Sequence, residues 1–104
     1  MSKPVTRRVE IVNRKGLHAR ASAKLAGLAN TLPCDVTVSL EGEKANAKSI
    51  MDLLCLAAHQ GCFVTLTASG SQAEACLDAV TAMITDGFGE LDDDAEEAGT
   101  LSQD

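Results

Sequence analysis

His18 and Arg20 stand two residues apart where the sequence marks the opening of a helix, and that pairing suits the handling of a phosphoryl group. The stretch is Asn13-Arg14-Lys15-Gly16-Leu17-His18-Ala19-Arg20-Ala21-Ser22-Ala23-Lys24. The first turn of a helix has N–H groups without acceptors in the helix and carries a partial positive charge, and together these attract phosphate. The same groups disfavour an imidazolium, so His18 is expected to be neutral and nucleophilic near neutral pH. A phosphoryl group on a His18 nitrogen would lie against the backbone N–H groups of Ala19, Arg20 and Ala21, with the Arg20 guanidinium bridging its oxygens. Neutral imidazole is a good nucleophile and also a good leaving group, which makes such an adduct transferable. Spacing alone also fits blander roles, a helix cap for His18 and an ordinary solvated face for Arg20 and Lys24, one turn apart. The second histidine, His59, has no acid or base arranged around it and is read as structural.

Two flanking elements must hold this stretch. Before it, Val5, Arg7, Val9 and Ile11 alternate with Thr6, Arg8, Glu10 and Val12, the pattern of a strand with one buried face. After it, the Ala- and Leu-rich run from about Ala19 to Thr31 places Ala21, Leu25, Leu28 and Leu32 on one helical stripe, with Gly27 a modest defect and Pro33 ending the helix. Alternation over Asp35–Leu40 predicts a second strand, Glu41-Gly42-Glu43 a hairpin turn, and Lys44–Ala47 a short third strand. Ser49-Ile50-Met51-Asp52 reads as a capping box opening a short helix that reaches Ala58. Cys62–Ala68 alternates as a fourth strand, and Ser69-Gly70 turns the chain. A second capping box, Ser71-Gln72-Ala73-Glu74, opens a helix whose apolar stripe is Ala73, Cys76, Leu77, Val80, Met83 and Ile84, with Gly87 as its C-terminal cap. The order is βαββαβα. It predicts an α+β fold with one sheet carrying its helices on one face.

The chain has 104 residues, a common single-domain size, and is 45% hydrophobic, enough for one core. Residues 1–90 are expected to form that domain. Beyond Gly89 the sequence becomes too acidic and too poor in apolar residues to order itself, so 91–104 is expected to be a disordered acidic tail. Phe63 and Phe88 are the only aromatics, which leaves no platform for base stacking and argues against nucleic acid. No apolar run approaches the roughly 18 residues needed to cross a bilayer. Net charge is −6, yet residues 1–24 hold seven basic residues against the single acid Glu10, so a local basic surface on an acidic body and a set of merely solvated faces both fit. Cys34, Cys55, Cys62 and Cys76 show no C-x-x-C pair and neither histidine is spaced like a zinc ligand, so no metal and no cofactor are expected. With no apolar signal region after Met1, the cysteines are read as buried free thiols in a reducing cytoplasm.

Gly16-Leu17-His18-Ala19-Arg20, followed some thirty residues later by Lys48-Ser49-Ile50-Met51, resembles the HPr family, the phosphocarriers of the bacterial phosphotransferase system. The resemblance spans roughly Val5 to Gly89 and includes the Ala68-Ser69-Gly70 turn. It implies an open-faced β-sandwich of four antiparallel strands with three helices on one face. It also implies that His18 is the phosphorylated residue, that Arg20 assists at the phosphoryl group, and that Ser49 aligns with the serine a dedicated HPr kinase modifies in some members. The implied partners are a phosphoenolpyruvate-dependent enzyme I type donor and an enzyme IIA type acceptor. The protein itself would be a monomeric phosphoryl-group carrier rather than a stand-alone enzyme. Two departures stand out: Ala21 where the family often has Pro, and Asp52 where members often have Gly. The Ala21-Ser22-Ala23 continuation and the Gly87-Phe88-Gly89-Glu90 ending resemble the nitrogen-related, regulatory branch.

The short helix holds more apolar residues (Ile50, Met51, Leu53, Leu54, Leu56) than one buried stripe needs. The surplus, with Ile50 and Leu54 foremost and Met51 and Lys24 adjoining, is expected to form a partner-docking patch beside His18. Ser49 is expected to cap that helix, a role contributing ~1 kcal/mol. The rival function is a non-catalytic ferredoxin-like interaction or ligand-binding module. Such a module has no reason to form an acid-labile, alkali-stable phosphate adduct, which separates the two.

Overall fold

The computed structural model describes residues 3–92. Alternating apolar residues build four strands, β1 (Val5–Glu10), β2 (Val36–Leu40), β3 (Glu43–Asn46) and β4 (Phe63–Ala68). They form one antiparallel sheet in the order β1-β4-β2-β3. Val5 lies opposite Ala68 and Val9 opposite Val64, while Val36 faces Ala68 from the other side. This register puts Val9, Val36, Val38, Ala45, Val64, Leu66 and Ala68 on one buried face. The opposite face is polar, and on it the Arg8 guanidinium lies 4.2 Å over the ring of Phe63. A slip of one residue would exchange the two faces, so the apolar alternation itself holds the register.

Three helices cover the buried face: α1 (Ala19–Ala29), α2 (Ile50–Leu56) and α3 (Ala73–Thr85). α3 packs on β1 and β4, α2 on β2 and β3, and α1 lies across both helices. Leu25, Leu53, Leu66, Leu77 and Ile84 are fully buried where these layers meet. Each contributes roughly 1.5–3 kcal/mol by leaving water. Arg7, the one charged residue on the inward side of β1, is neutralised by Asp78 of α3. The element order and one-sided sheet are those expected from the sequence.

Several local expectations are corrected. α1 ends at Ala29, and its buried stripe is Ala21, Ser22, Leu25, Ala26 and Ala29, with Leu28 and Leu32 only half-buried. Asn30 closes α1 by folding its amide back onto the Ala26 carbonyl. α2 is shorter than its apolar run because Ala57 takes a left-handed conformation, φ 53°, and stops it. Its capping box is half realised: Ser49 Oγ accepts from Asp52 N, while the Asp52 carboxylate accepts from Asn46 N instead of turning back to Ser49. The second box does not form. Gln72 caps α3 with no side-chain bond, because a tight turn already carries Ala73 N to the Gly70 carbonyl. All four cysteines are free, but only Cys34 and Cys76 are buried, and Cys55 is exposed on α2.

Past α3 the chain reverses through Gly87 (φ 64°) into a short 3-10 turn, Gly87–Gly89. Phe88 is held at φ 56°, unusual for a bulky residue, with its ring buried in the core. Burial of that ring anchors the segment. Glu90 follows with 3% exposure, and Leu91 and Asp92 enter a further helical turn. Leu91, assigned to the tail from sequence, is therefore structured, its side chain lying over Gly87. The rest of that tail, from 93 on, lies outside the described residues.

Candidate functional site

The approach to His18 is built from backbone contacts that leave its position little freedom. Gly16 has φ 64° and its α-carbon sits so close to the end of α2 that a β-carbon would lie 2.3 Å from the Ala58 carbonyl oxygen. Only glycine meets both demands. The next N–H, of Leu17, donates to that same Ala58 carbonyl at 2.9 Å. Ser22, fully buried, donates its hydroxyl to the Leu17 carbonyl. From the other side, Asn13 donates its side-chain amide to the Gly16 carbonyl at 2.8 Å. The left-handed Ala57 thus turns the end of α2 into the support for the loop that delivers His18.

His18 is the N-cap of α1, with extended backbone (φ −72°, ψ 178°), as the sequence indicates. Its carbonyl accepts the first intrahelical bond, from Ser22 N. The N–H groups of Ala19, Arg20 and Ala21 precede that bond and form the open first turn. Arg20 N points back to His18 Nδ1 at 3.3 Å, a long and weak bond. A carboxylate sits on the other side of the ring: Glu90 Oε2 lies 2.6 Å from His18 Nε2. Sequence reading missed this residue, leaving it as the last position of the domain. The same oxygen is 3.7 Å from Arg20 Nε, and Glu90 Oε1 accepts from Asn13 Nδ2 at 3.1 Å. The Glu90 side chain is only 4% exposed. Burial pushes its carboxyl up, but the hydrogen bonds from Asn13 and His18 and the nearby Arg20 charge outweigh it and hold the group below its ordinary range.

Both amide hydrogens of Asn13 thus point at oxygens, which fixes its orientation, since a flipped amide would oppose oxygen to oxygen. The same reasoning fixes the imidazole. A backbone N–H can only donate, so Nδ1 is the acceptor, and an ionised carboxylate can only accept, so the proton is on Nε2. The ring is presented with its lone pair at the helix mouth. The Arg20 side chain is 61% exposed, and its guanidinium lies against the Glu90 carboxylate on the Nε2 side of the ring, 3.7 Å away.

Other sequence candidates fall elsewhere. Lys24 Nζ donates to the Phe88 carbonyl at 2.8 Å, tying α1 to the segment that carries Glu90 rather than standing clear for a partner. Ser49 is engaged as the α2 cap. On α2, Ile50 and Met51 are exposed, at 42% and 68%, whereas Leu54 is half-buried, so the apolar surplus is Ile50 and Met51. Asn30 also bonds the Lys48 carbonyl, which sets the start of α2 toward the end of α1 remote from His18, about 18 Å along a helix rising 1.5 Å per residue. His59 is exposed and donates from Nδ1 to the Gln60 carbonyl. Among the described residues no group of three or more His, Cys, Asp and Glu side chains is arranged to hold a metal ion.

Residues 5–86 match the family model described as the PTS HPr component phosphorylation site. The chain belongs to the HPr family. It is a phosphocarrier of the phosphotransferase system. It is 46% identical over 80 residues to the phosphocarrier protein HPr of Cupriavidus necator, covering 77% of this chain and 90% of that one. To the phosphocarrier protein NPr of Shewanella violacea it is 42% identical over 84 residues, covering 81% and 92%. Relatives bearing the HPr and the NPr names therefore stand close together. The fold matches the crystal structure of HPr from Bacillus anthracis with a TM-score of 0.74 at 37% identity, over 78% of this chain and 96% of that one. An HPr structure from Thermoanaerobacter tengcongensis matches at 0.76 and 39% identity, over 85% and 97%. The four-stranded antiparallel sheet with three helices is the open-faced sandwich of these HPr structures.

Proposed function

We propose that His18 is the phosphoryl-carrying residue and that Nδ1 is the atom that carries the group. The observation behind this is the placement of Nδ1 at the open first turn of α1, where it accepts from Arg20 N, with the exposed Arg20 side chain on the same turn. A phosphoryl group on Nδ1 would take over the weak bond from Arg20 N and meet the neighbouring N–H groups of Ala19 and Ala21. Arg20 would leave the Glu90 carboxylate for the phosphoryl oxygens, with which it can form a bidentate pair. Backbone donors and one mobile cation stabilise the carried group without enclosing it, as a carrier that must hand it on requires.

The donor is proposed to be a phosphoenolpyruvate-dependent enzyme I type protein and the acceptor an enzyme IIA type protein. No helix among the described residues is long and apolar enough to cross a membrane, and four free thiols suit a reducing cytoplasm, where we place the exchange. Exposed Ile50 and Met51 offer partners an apolar contact on the neighbouring helix. Ser49 is assigned the capping role. A phosphate placed there by an HPr kinase would lie beside the Asp52 carboxylate, whose repulsion opposes the modification.

The deciding experiment is labelling with phosphoenolpyruvate and enzyme I, with the phosphate located by mass spectrometry. His18→Ala is expected to abolish an acid-labile, alkali-stable label and His59→Ala to leave it intact. Label that survives His18→Ala removes the proposal.

A further inference from the structure

We propose that Glu90 is a positioning residue for the transfer, holding one proton on His18 Nε2 through the whole cycle so that Nδ1 alone exchanges the phosphoryl group. This deepens the assignment of His18 as the carrier and rests on it. The geometry is a chain of three side chains: Asn13 Nδ2 to Glu90 Oε1 at 3.1 Å, then Glu90 Oε2 to His18 Nε2 at 2.6 Å. Asn13 is fully buried and is itself fixed to the Gly16 carbonyl, so the carboxylate is held from behind by the loop that delivers the histidine. Phe88, buried two residues earlier, and Lys24 on the Phe88 carbonyl hold it from the chain side. A carboxylate fixed on one imidazole nitrogen selects the tautomer and aims the other nitrogen.

The step balances without any proton moving at the ring. The Nδ1 lone pair attacks phosphorus, the N–P bond forms, and the bond from phosphorus to the donor's leaving atom breaks with its electron pair departing on that atom. The ring becomes cationic with its proton still on Nε2, facing Oε2. When an acceptor nucleophile attacks phosphorus, the N–P pair returns to Nδ1 and the ring leaves as the neutral Nε2–H form it began as. Glu90 faces the positive charge that develops on the ring as the N–P bond forms and fades as it breaks, and matches it with a fixed negative one. It never touches the phosphoryl group.

Two replacements separate this role from simple packing. Glu90→Gln keeps the shape and loses the charge, whereas Glu90→Asp keeps the charge and withdraws it by one methylene. If Glu90 only packs, glutamine is the better substitute; if it positions and neutralises, aspartate is. The full chain is used, with long-range proton–nitrogen NMR of the His18 ring before phosphorylation and single-turnover transfer from phosphorylated enzyme I. The expected result is a pure Nε2–H ring in the wild type, a mixed ring in Glu90→Gln, and transfer slowed about tenfold or more in Glu90→Gln but less in Glu90→Asp. A wild-type ring protonated on Nδ1 overturns the proposal, and so does a glutamine variant that transfers as well as the aspartate variant. If one variant fails to fold, the wild-type ring decides. The NMR result does not depend on transfer, so absence of label on His18 would defeat the carrier assignment while leaving the tautomer measurement intact.

Discussion

The α-carbon of Gly16 rests against the carbonyl of Ala58, with no room between them for a methyl group. This contact joins the end of α2 to the loop before His18, and the Leu17 N–H to Ala58 oxygen bond closes it. Gly16→Ala meets a positive φ and a β-carbon placed 2.3 Å from a backbone oxygen, so the loop must shift. We expect a loss on the order of 1–3 kcal/mol from the backbone strain alone, read by chemical denaturation. Phosphorylation should slow as well, because the same shift displaces His18. A Gly16→Ala protein of native stability would show that the loop and α2 are not in contact.

The depressed carboxyl of Glu90 makes a signed prediction for acid stability. A carboxyl held below its unfolded value, about 4.3 for Glu, contributes stability that is fully present above that value. The contribution is lost as pH falls through the folded value. Glu90→Gln has no such group to protonate. Denaturation of both proteins at neutral pH and again below pH ~4 should show the wild type losing more stability than the variant. Equal losses would mean that the Asn13, His18 and Arg20 contacts do not favour the ionised carboxylate.

Ala21 is the third residue of α1, and its N–H comes before the first intrahelical bond, from Ser22. Proline there removes a donor the helix does not use, though its ring must fit a fully buried site. Ala21→Pro is expected to fold with a change of about 1 kcal/mol or less and to keep transfer. Leu25→Pro, inside the helix, should cost ~3 kcal/mol or more. Denaturation midpoints and transfer rates of the pair check this. Equal damage would mean that the helix begins before His18.

Truncation marks the boundary between site and tail. Ending the chain after Asp92 keeps Glu90 and the Leu91 contact over Gly87, so thermal stability and transfer should match the full chain. Ending it after Asp86 removes Phe88 and Glu90 together. That protein should lose about 3–5 kcal/mol, the range for deleting a buried Phe side chain, and most of its transfer rate. A stable, active protein ending at Asp86 would refute the role given to this segment.

The strands and the helix mouth were legible in the sequence because they are local. Alternation at Val36, Val38 and Leu40 or at Val64, Leu66 and Ala68 reports directly which face meets the core, and Pro33 and Gly61 punctuate it. His18 was legible for the same reason, standing next to the glycine, arginine and alanines of its own turn. Glu90 was not. Its role comes from a contact 72 positions away, and in sequence it is one acid at the head of an acidic run. The only local sign was Phe88 between two glycines, a bulky apolar residue where a solvated tail should have none. Asn13 looked like turn punctuation, and Ser22 like a small polar residue in a helix. Both are fully buried, and only the packed structure shows what their hydrogen bonds hold.

The proposed carrier site draws on the first and last parts of the described fold. Asn13 and His18 are made early in synthesis, whereas Phe88 and Glu90 come at the far end of the described chain. A nascent polypeptide therefore displays its histidine long before it possesses the carboxylate that contacts it. Such sequence-distant contacts close late, after the loops between them have been drawn in. Under the proposed roles, readiness to carry a group then waits on this contact, and a chain broken off anywhere before position 90 has His18 with nothing to hold its second nitrogen.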